Sequence, residues 1–311
     1  SLSDYNSNSI TKIGFAVDME IVPSKIQLVN ISGNTLEGDI FYVKNKINYI
    51  ESAKIENTST TIKDFFQNNS VETKVMNSYY GSDVNTPINL KNEKTIFSDE
   101  STIETAYQYA YEKGNQKLID ANMVGIPLDT EVKKDGKTIS KAETKYDNPV
   151  NLLPSSVLSY NMQSNTPSTE VTYDIYDGKR NLIQYTTKAG VSTSIIWGYN
   201  QTQPIAKIEG AKLSDITQTL INSIVNASDD TNANYSESTL LNQLDAFRIA
   251  LPNFQISTYT YKPLIGVTTI TPPSGIREYY FYDTANRLES VKTNENGVLT
   301  TLKEYQYHYK P

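Results

Sequence analysis

The stretch from Gly275 to Gly297 constrains the fold more than any other. It runs through Glu278-Tyr-Tyr-Phe-Tyr-Asp283-Thr-Ala-Asn-Arg-Leu288, a composition that predicts a strand, a polar turn and a second strand. Side chains alternate along an extended chain, so Tyr280 and Tyr282 share one face and Tyr279 and Phe281 the other. Aromatic residues suit such a half-buried pleated surface. Asp283 to Asn286 supplies side chains that bond nearby backbone groups and tolerate unusual backbone angles. Leu288 and Val291 continue in the second strand, and Asn296-Gly297 is a dipeptide favoured in tight hairpin turns. The unit is a β-hairpin.

It recurs. Tyr176-Asp177 is followed by Leu182 at the spacing that separates Tyr282 from Leu288, and Gly190 stands one residue closer than Gly297 does. Tyr146-Asp147 leads to Leu152 at the same spacing, with Pro149 and Pro154 interrupting turn and strand. Tyr107, Tyr109 and Tyr111, then Lys113-Gly114-Asn115 and Leu118, form a degraded fourth copy. The irregular distances between copies argue against a regular solenoid.

These units resemble the YD repeat of Rhs-type proteins, over residues 105–311. Trp197-Gly198-Tyr199-Asn200 followed by Pro204-Ile205-Ala206, and the run Tyr261-Lys-Pro-Leu-Ile-Gly-Val267, are similar to stretches of Rhs-like proteins of Bacteroidota. Where that pattern has an Asp-Pro pair ahead of the next unit, this chain has Pro272-Pro273, so Asp-Pro cleavage is not expected of it. The resemblance implies strands that wrap into a shell. Three or four imperfect units are too few to close one, which leaves a mainly β fold: an antiparallel, hairpin-built curled sheet or partial Rhs-type spiral. Its structural repeat residues are Tyr146, Asp147, Leu152, Tyr176, Asp177, Leu182, Tyr282, Asp283, Leu288 and Gly297.

Ahead of the repeats, residues 1–104 read as a separate β-rich section. Residues 1–11 look like a loose arm. Ile13, Phe15, Val17, Met19 and Ile21 then alternate in a strand that Pro23 ends. Ile26–Ile31 and Ile40–Val43 are further strands, Ile47–Ile50 returns across Lys44–Lys46, and a polar stretch, Asn57–Thr61, separates these from Val71–Tyr80. In residues 105–311, Val132–Ser140 is a hairpin about Asp135-Gly136. Helical periodicity appears at about 211–251, where Leu213, Ile216, Leu220, Ile221 and Ile224 form one stripe and Leu240, Leu244, Phe247 and Leu251 another. Ser236 is the expected N-cap and Pro252 the stop. The expected product is one αα-hairpin laid over a face or open end of the sheet.

Several functions are disfavoured by composition. The 35 acidic and 28 basic residues leave a net charge of −7 without a basic cluster, so nucleic acid is not an expected partner. There is no cysteine, which removes disulfides and thiolate metal sites, and the one histidine, His308, set among strand tyrosines, reads as a structural or surface residue and disfavours His-based triads and multi-His metal sites. No apolar run is long enough to span a bilayer as a helix. The opening Ser1-Leu2-Ser3 reads as a mature chain or a fragment.

Asp230 to Asn234 has acidic or amide groups at alternate positions, as a calcium loop does. Tyr235 stands where glycine is needed and Leu241 where the bidentate glutamate belongs, so a solvated helix–helix loop is expected. The Asp of each Tyr-Asp pair has no partner for acid/base work and reads as a turn residue. No catalytic residue, cofactor or metal is expected, and a small-molecule ligand is disfavoured. Twenty-three tyrosines against one Trp and eight Phe suit partly wet strand faces, and Trp197 and Tyr199 are the residues offered for contact with a partner. The function expected is a non-enzymatic structural and interaction module of a secreted or cell-surface protein, as subunit or cargo of an outer-membrane export assembly. The alternatives are the C-terminal part of a toxin-delivery shell and a carbohydrate-binding protein.

Overall fold

The computed structural model describes residues 2–6, 10–29, 35–53, 56–66, 69–81, 87–230, 237–295 and 297–307. They form antiparallel strands almost throughout, as the hairpin signals predict, in two compact units, Ser1–Ser140 and Lys141–Pro311. The change of composition at residues 104/105 falls inside a strand of the first unit, Thr102–Gln108.

In the first unit β1 (Leu2–Asn6) pairs with β4 (Glu56–Phe66), which is followed across the sheet by β5 (Asn69–Tyr79), β6 (Leu90–Ile96), β7 (Thr102–Gln108) and β8 (Asp129–Lys134). Two expectations are corrected by β1 and β4. Residues 2–6 are a paired strand rather than a loose arm, and the polar stretch Asn57–Thr61 lies within β4, where Leu2 faces Thr61. Threonine-rich segments are good strand formers because β-branching suits the pleat.

The other two strands, β2 (Ile10–Val29) and β3 (Thr35–Ala53), pair only with each other among the described residues, in a ribbon running from Ile10 opposite Ala53 to Val29 opposite Thr35. Four short strands were expected here. Pro23 does not end β2 but sits opposite Phe41, which a two-stranded ribbon tolerates because each strand keeps a free edge where no N–H is required. Nor are Lys44–Lys46 a turn. The pairing runs straight through them, with Lys44 opposite Glu20 and Lys46 opposite Asp18.

The degraded copy at Tyr107–Leu118 is no hairpin either. Asn115 accepts from the Leu118 amide at 3.2 Å and caps α1 (Gln116–Asp120), so the chain turns into a helix and buries Leu118 completely. The expected turn at Asp135-Gly136 is present, with φ of 48° and 77°, the backbone of a type I′ turn. It joins β8 to β9 (Lys137–Lys145).

The second unit is a meander in which strand order follows sequence order. The end of β9 pairs with β10 (Ser156–Tyr160), and pairing continues strand by strand through β11 (Pro167–Tyr176), β12 (Leu182–Thr187), β13 (Ser192–Gly198), β14 (Gln203–Glu209), β15 (Gln255–Lys262), β16 (Gly266–Thr271), β17 (Glu278–Tyr282), β18 (Leu288–Glu295) and β19 (Val298–Glu304). β19 pairs with β18 alone among the described residues, so the sheet is open.

Between β14 and β15 stand a 3-10 turn (Leu213–Asp215), α2 (Gln218–Asp229) and α3 (Glu237–Ala250), the αα-hairpin expected at 211–251. Its stripes do what amphipathic helices do: Ile216, Ile224, Leu240, Leu244 and Phe247 pack with Ile196, Ile205, Ile208 and Ile256 of β13–β15 in one buried cluster. Arg248 fastens α3 to the sheet. Its guanidinium donates to the carbonyls of Thr271 at 3.3 Å, Pro272 at 2.9 Å and Pro273 at 3.3 Å, and to that of Ile256. Ser236, the expected cap of α3, lies outside the described residues, as do His308 and most of the loop compared with a calcium site.

Candidate functional site

Two of the repeat units place their Tyr-Asp pair in a turn between neighbouring strands of the second unit, one between β11 and β12 and one between β17 and β18. Two Tyr-Asp turns are built there in the same way. Asp177 Oδ1 accepts from the amides of Lys179 at 2.9 Å and Asn181 at 2.8 Å, and Asp283 Oδ1 accepts from Ala285 at 2.8 Å and Arg287 at 2.9 Å. In both, the Asp amide donates to the carbonyl four residues on, at 2.9 Å. A left-handed residue closes each turn, Arg180 with φ 71° and Asn286 with φ 60°. Asp supplies the acceptor for otherwise orphaned turn amides, which is why the pair recurs at this position. Hydrogen bonding from Arg287 holds Asp283 below the usual carboxylate range.

Tyr146-Asp147 does not share this geometry. Lys145 pairs with Ser156, Asp147 donates its amide to Ser155 Oγ at 3.2 Å, and Leu152 lies in the loop before β10. Pro149 and Pro154 remove backbone donors, and Asn148 and Asn151 cap the loop amides instead. Gly190 and Gly297 occupy the opposite turns, with φ of 77° and 87°, values that favour glycine.

Each Tyr-Asp strand ends at a slip in register, after which Tyr176 faces Leu182 and Tyr282 faces Leu288. The carbonyl of that Leu accepts from an aromatic donor farther along the chain: Trp197 Nε1 to Leu182 O at 3.0 Å, and Tyr307 Oη to Leu288 O at 2.8 Å. The repeat tyrosines latch in the same fashion, Tyr176 Oη to Pro154 O at 2.8 Å and Tyr282 Oη to Val267 O at 2.9 Å. A Cβ on Gly266 would lie 2.3 Å from Tyr282 Oη, so glycine is what lets that phenol reach its carbonyl. Burial pushes Tyr282 up and Tyr176 up to about 12.

The first unit contains the same device, which spacing did not reveal. Tyr79 faces Leu90 after a register slip, and Tyr109 Oη donates to Leu90 O at 2.8 Å. The longer connection between Tyr79 and Leu90 hides it from a search at six-residue spacing. The signal that could have found it is a Tyr, a strand-opening Leu and a second Tyr at the end of the following strand.

Trp197 stands near the end of β13, and Tyr199 opens the turn to β14. Tyr199, Asn200 and Gln201 are consecutive left-handed residues, with φ of 51°, 56° and 60°, a conformation costing L-residues roughly 1 kcal/mol or more each. The helical insert holds it in place: Ser228 Oγ accepts from the Tyr199 amide at 3.2 Å, and Asp229 Oδ1 from that of Asn200 at 2.7 Å. Tyr199 Oη accepts from the Tyr261 amide at 2.9 Å, and the two rings meet edge-on at 5.7 Å. Burial pushes Tyr261 up to about 12, helped by Tyr259. Gly198 is required because a Cβ there would lie 2.1 Å from Ser228 Oγ.

Two clefts open beside this turn. One of about 360 Å³ has Tyr199, Asn200, Asp229, Asp230, Tyr261 and Pro263 on its walls. The other, about 320 Å³, lies between α2 and the sheet, with Asp177, Ile183, Trp197, Gln201, Ile221 and Val225 among its lining residues. Among the described residues, no group of three or more His, Cys, Asp or Glu is placed to hold a metal ion, and no helix is long and apolar enough to cross a membrane.

No family model and no curated protein matches the chain. Among solved structures it is similar to TcdB2-TccC3 without its hypervariable C-terminal region, at 12% identity and a TM-score of 0.38 over 81% of this chain. It is also similar to TcdB2-TccC3 at 12% identity and 0.32 over 74%, and to the Photorhabdus luminescens Tc holotoxin pore at 12% identity and 0.31 over 76%. The chain spans 12% of the length of each of those chains.

Proposed function

We propose that the chain is a non-enzymatic structural and protein-interaction module of a secreted or cell-surface Rhs-like protein, acting as a subunit or cargo of an outer-membrane export assembly. The observation that carries this reading is the occupation of the two Tyr-Asp carboxylates. Each accepts two turn amides through Oδ1 in the same geometry, so the repeated carboxylate serves the backbone rather than a substrate. Tyr176, Tyr199, Tyr261 and Tyr282 beside these turns are half-buried, and the exposed part of such rings is rigid apolar area that suits a protein surface. The acidic balance favours proteins over nucleic acid as partners.

Affinity purification of the protein from its own cell envelope, with intact-mass measurement of whatever accompanies it, tests the proposal. Stoichiometric envelope or secretion proteins are the expected result. Recovery without any protein partner contradicts it, and recovery as part of a much longer chain with further Tyr-Asp units favours the toxin-delivery shell instead.

A further inference from the structure

The two Tyr-Asp turns are built alike and finished differently. In the second, Arg287 reaches Asp283 Oδ2 through Nε at 2.7 Å and Nη2 at 2.6 Å. The same guanidinium lies 4.4 Å from the centre of the Tyr307 ring, and Tyr307 is the aromatic that latches onto Leu288 O. A cation is therefore held between the turn carboxylate and the latching aromatic.

In the first turn both walls of that arrangement are present and the cation is not. Trp197 takes the place of Tyr307, donating to Leu182 O. Asn181 stands four residues after Asp177, where Arg287 stands four after Asp283. Its amide bonds Asp177 Oδ2 and Gln201 O, each at 3.0 Å, and brings no charge. The nearby Lys179 ammonium is bonded to Asn200 O, and among the described residues no cation lies at ion-pair distance from Asp177. Asp177 and Trp197 instead line the cleft of about 320 Å³ under α2. Its apolar walls include Ile183 and Ile221, its rim carries the neutral amides of Gln218 and Asn222, and no basic residue lines it.

We infer that this cleft takes an arginine side chain from a partner protein, its guanidinium set between Asp177 and Trp197 as that of Arg287 is set between Asp283 and Tyr307. Guanidinium suits both walls, since it forms charge-assisted bonds to carboxylate and stacks on an aromatic face. The isoleucines suit the methylene stem. Only the source of the guanidinium rests on reading the chain as an interaction module; the site stands on the comparison of the two turns.

Trp197 is the one tryptophan in the chain, so its fluorescence reports on this cleft. The purified protein is titrated with the blocked peptide Gly-Arg-Gly and with the same peptide carrying citrulline, the neutral isostere. A saturable emission change with arginine is expected, at least about tenfold weaker with citrulline, because the charge-assisted bond is lost. Asn181→Arg, which supplies the guanidinium internally, is expected to shift the emission of the free protein and abolish the response. Asp177→Asn keeps an acceptor for the turn amides while removing the charge, and should weaken binding about tenfold. Circular dichroism guards against misfolding, and Asp177→Asn decides the matter if Asn181→Arg fails to fold. Equal binding of citrulline, an unaltered response in Asp177→Asn, or no saturable change overturns the site.

A parallel pull-down separates the two readings. Loss of a protein partner from Asn181→Arg supports a protein source. Equal recovery by both proteins, with the peptide response lost, overturns that source. Absence of any partner from either overturns the interaction module and leaves the titration to judge the site.

Discussion

Asp283 holds its turn through two amides and a guanidinium, and Arg287 carries that connection on to Tyr307. A carboxylate whose folded pKa is depressed adds stability above its unfolded value, about 3.9, and loses it as pH falls through the lower folded value. The sign predicts that the gap in melting temperature between wild type and Asp283→Asn, present at neutral pH, closes in acid; thermal scans across that range measure it. The tyrosines act at the other end. Tyr176 and Tyr261 are raised to about 12, so their share of stability is complete below the unfolded value of about 10 and is lost as pH rises through the folded one. Phenolate absorbance should show these two ionising among the last of the tyrosines, together with alkaline unfolding; replacing either with Phe removes its part. Gly198→Ala tests the close approach beneath the left-handed turn. Placing a Cβ 2.1 Å from Ser228 Oγ should cost about 1–3 kcal/mol by overpacking, read in denaturant melts.

Among the elements, the helical insert was the most legible, because two three-and-four stripes bounded by Pro252 leave little else for residues 211–251 to form. The Tyr-Asp hairpins at 176–182 and 282–288 were legible for a related reason: the turn chemistry demands Asp at its first position and a fixed distance to the next strand. What escaped was what depends on contacts remote in sequence. The latch of Tyr109 onto Leu90 has no fixed spacing, and the same is true of the clasp of Arg248 on Pro272 and Pro273. The long ribbon reads as short strands in the sequence because Pro23 and the lysines at 44 and 46 resemble breaks when their cross-strand partners are unknown. The insert also fixes the left-handed turn through Ser228 and Asp229, so its packing reaches the candidate site. Phe247 is about 1% exposed at the centre of that packing. Phe247→Ala should cost about 3–5 kcal/mol in equilibrium unfolding and disturb the Trp197 fluorescence.

On the scale of the whole molecule, the same latch appears in both units, described separately: Tyr79, Leu90 and Tyr109 in one, the Tyr-Asp strands in the other. In the second unit each strand pairs with its neighbours in sequence, so a damaged turn should loosen its own hairpin and leave distant strands paired. In each of the two Tyr-Asp turns one carboxylate oxygen, Oδ1 of Asp177 and of Asp283, is committed to the backbone. Amide hydrogen exchange resolved to single residues tests it most directly, comparing wild type with Asp177→Ala and Asp283→Ala. Slow exchange is expected at Lys179, Asn181, Ala285 and Arg287 in the wild type, with protection lost at the first pair in one variant and at the second pair in the other. Exchange at unprotected rates for these four amides in the wild type, or protection that survives removal of the carboxylates, would contradict it.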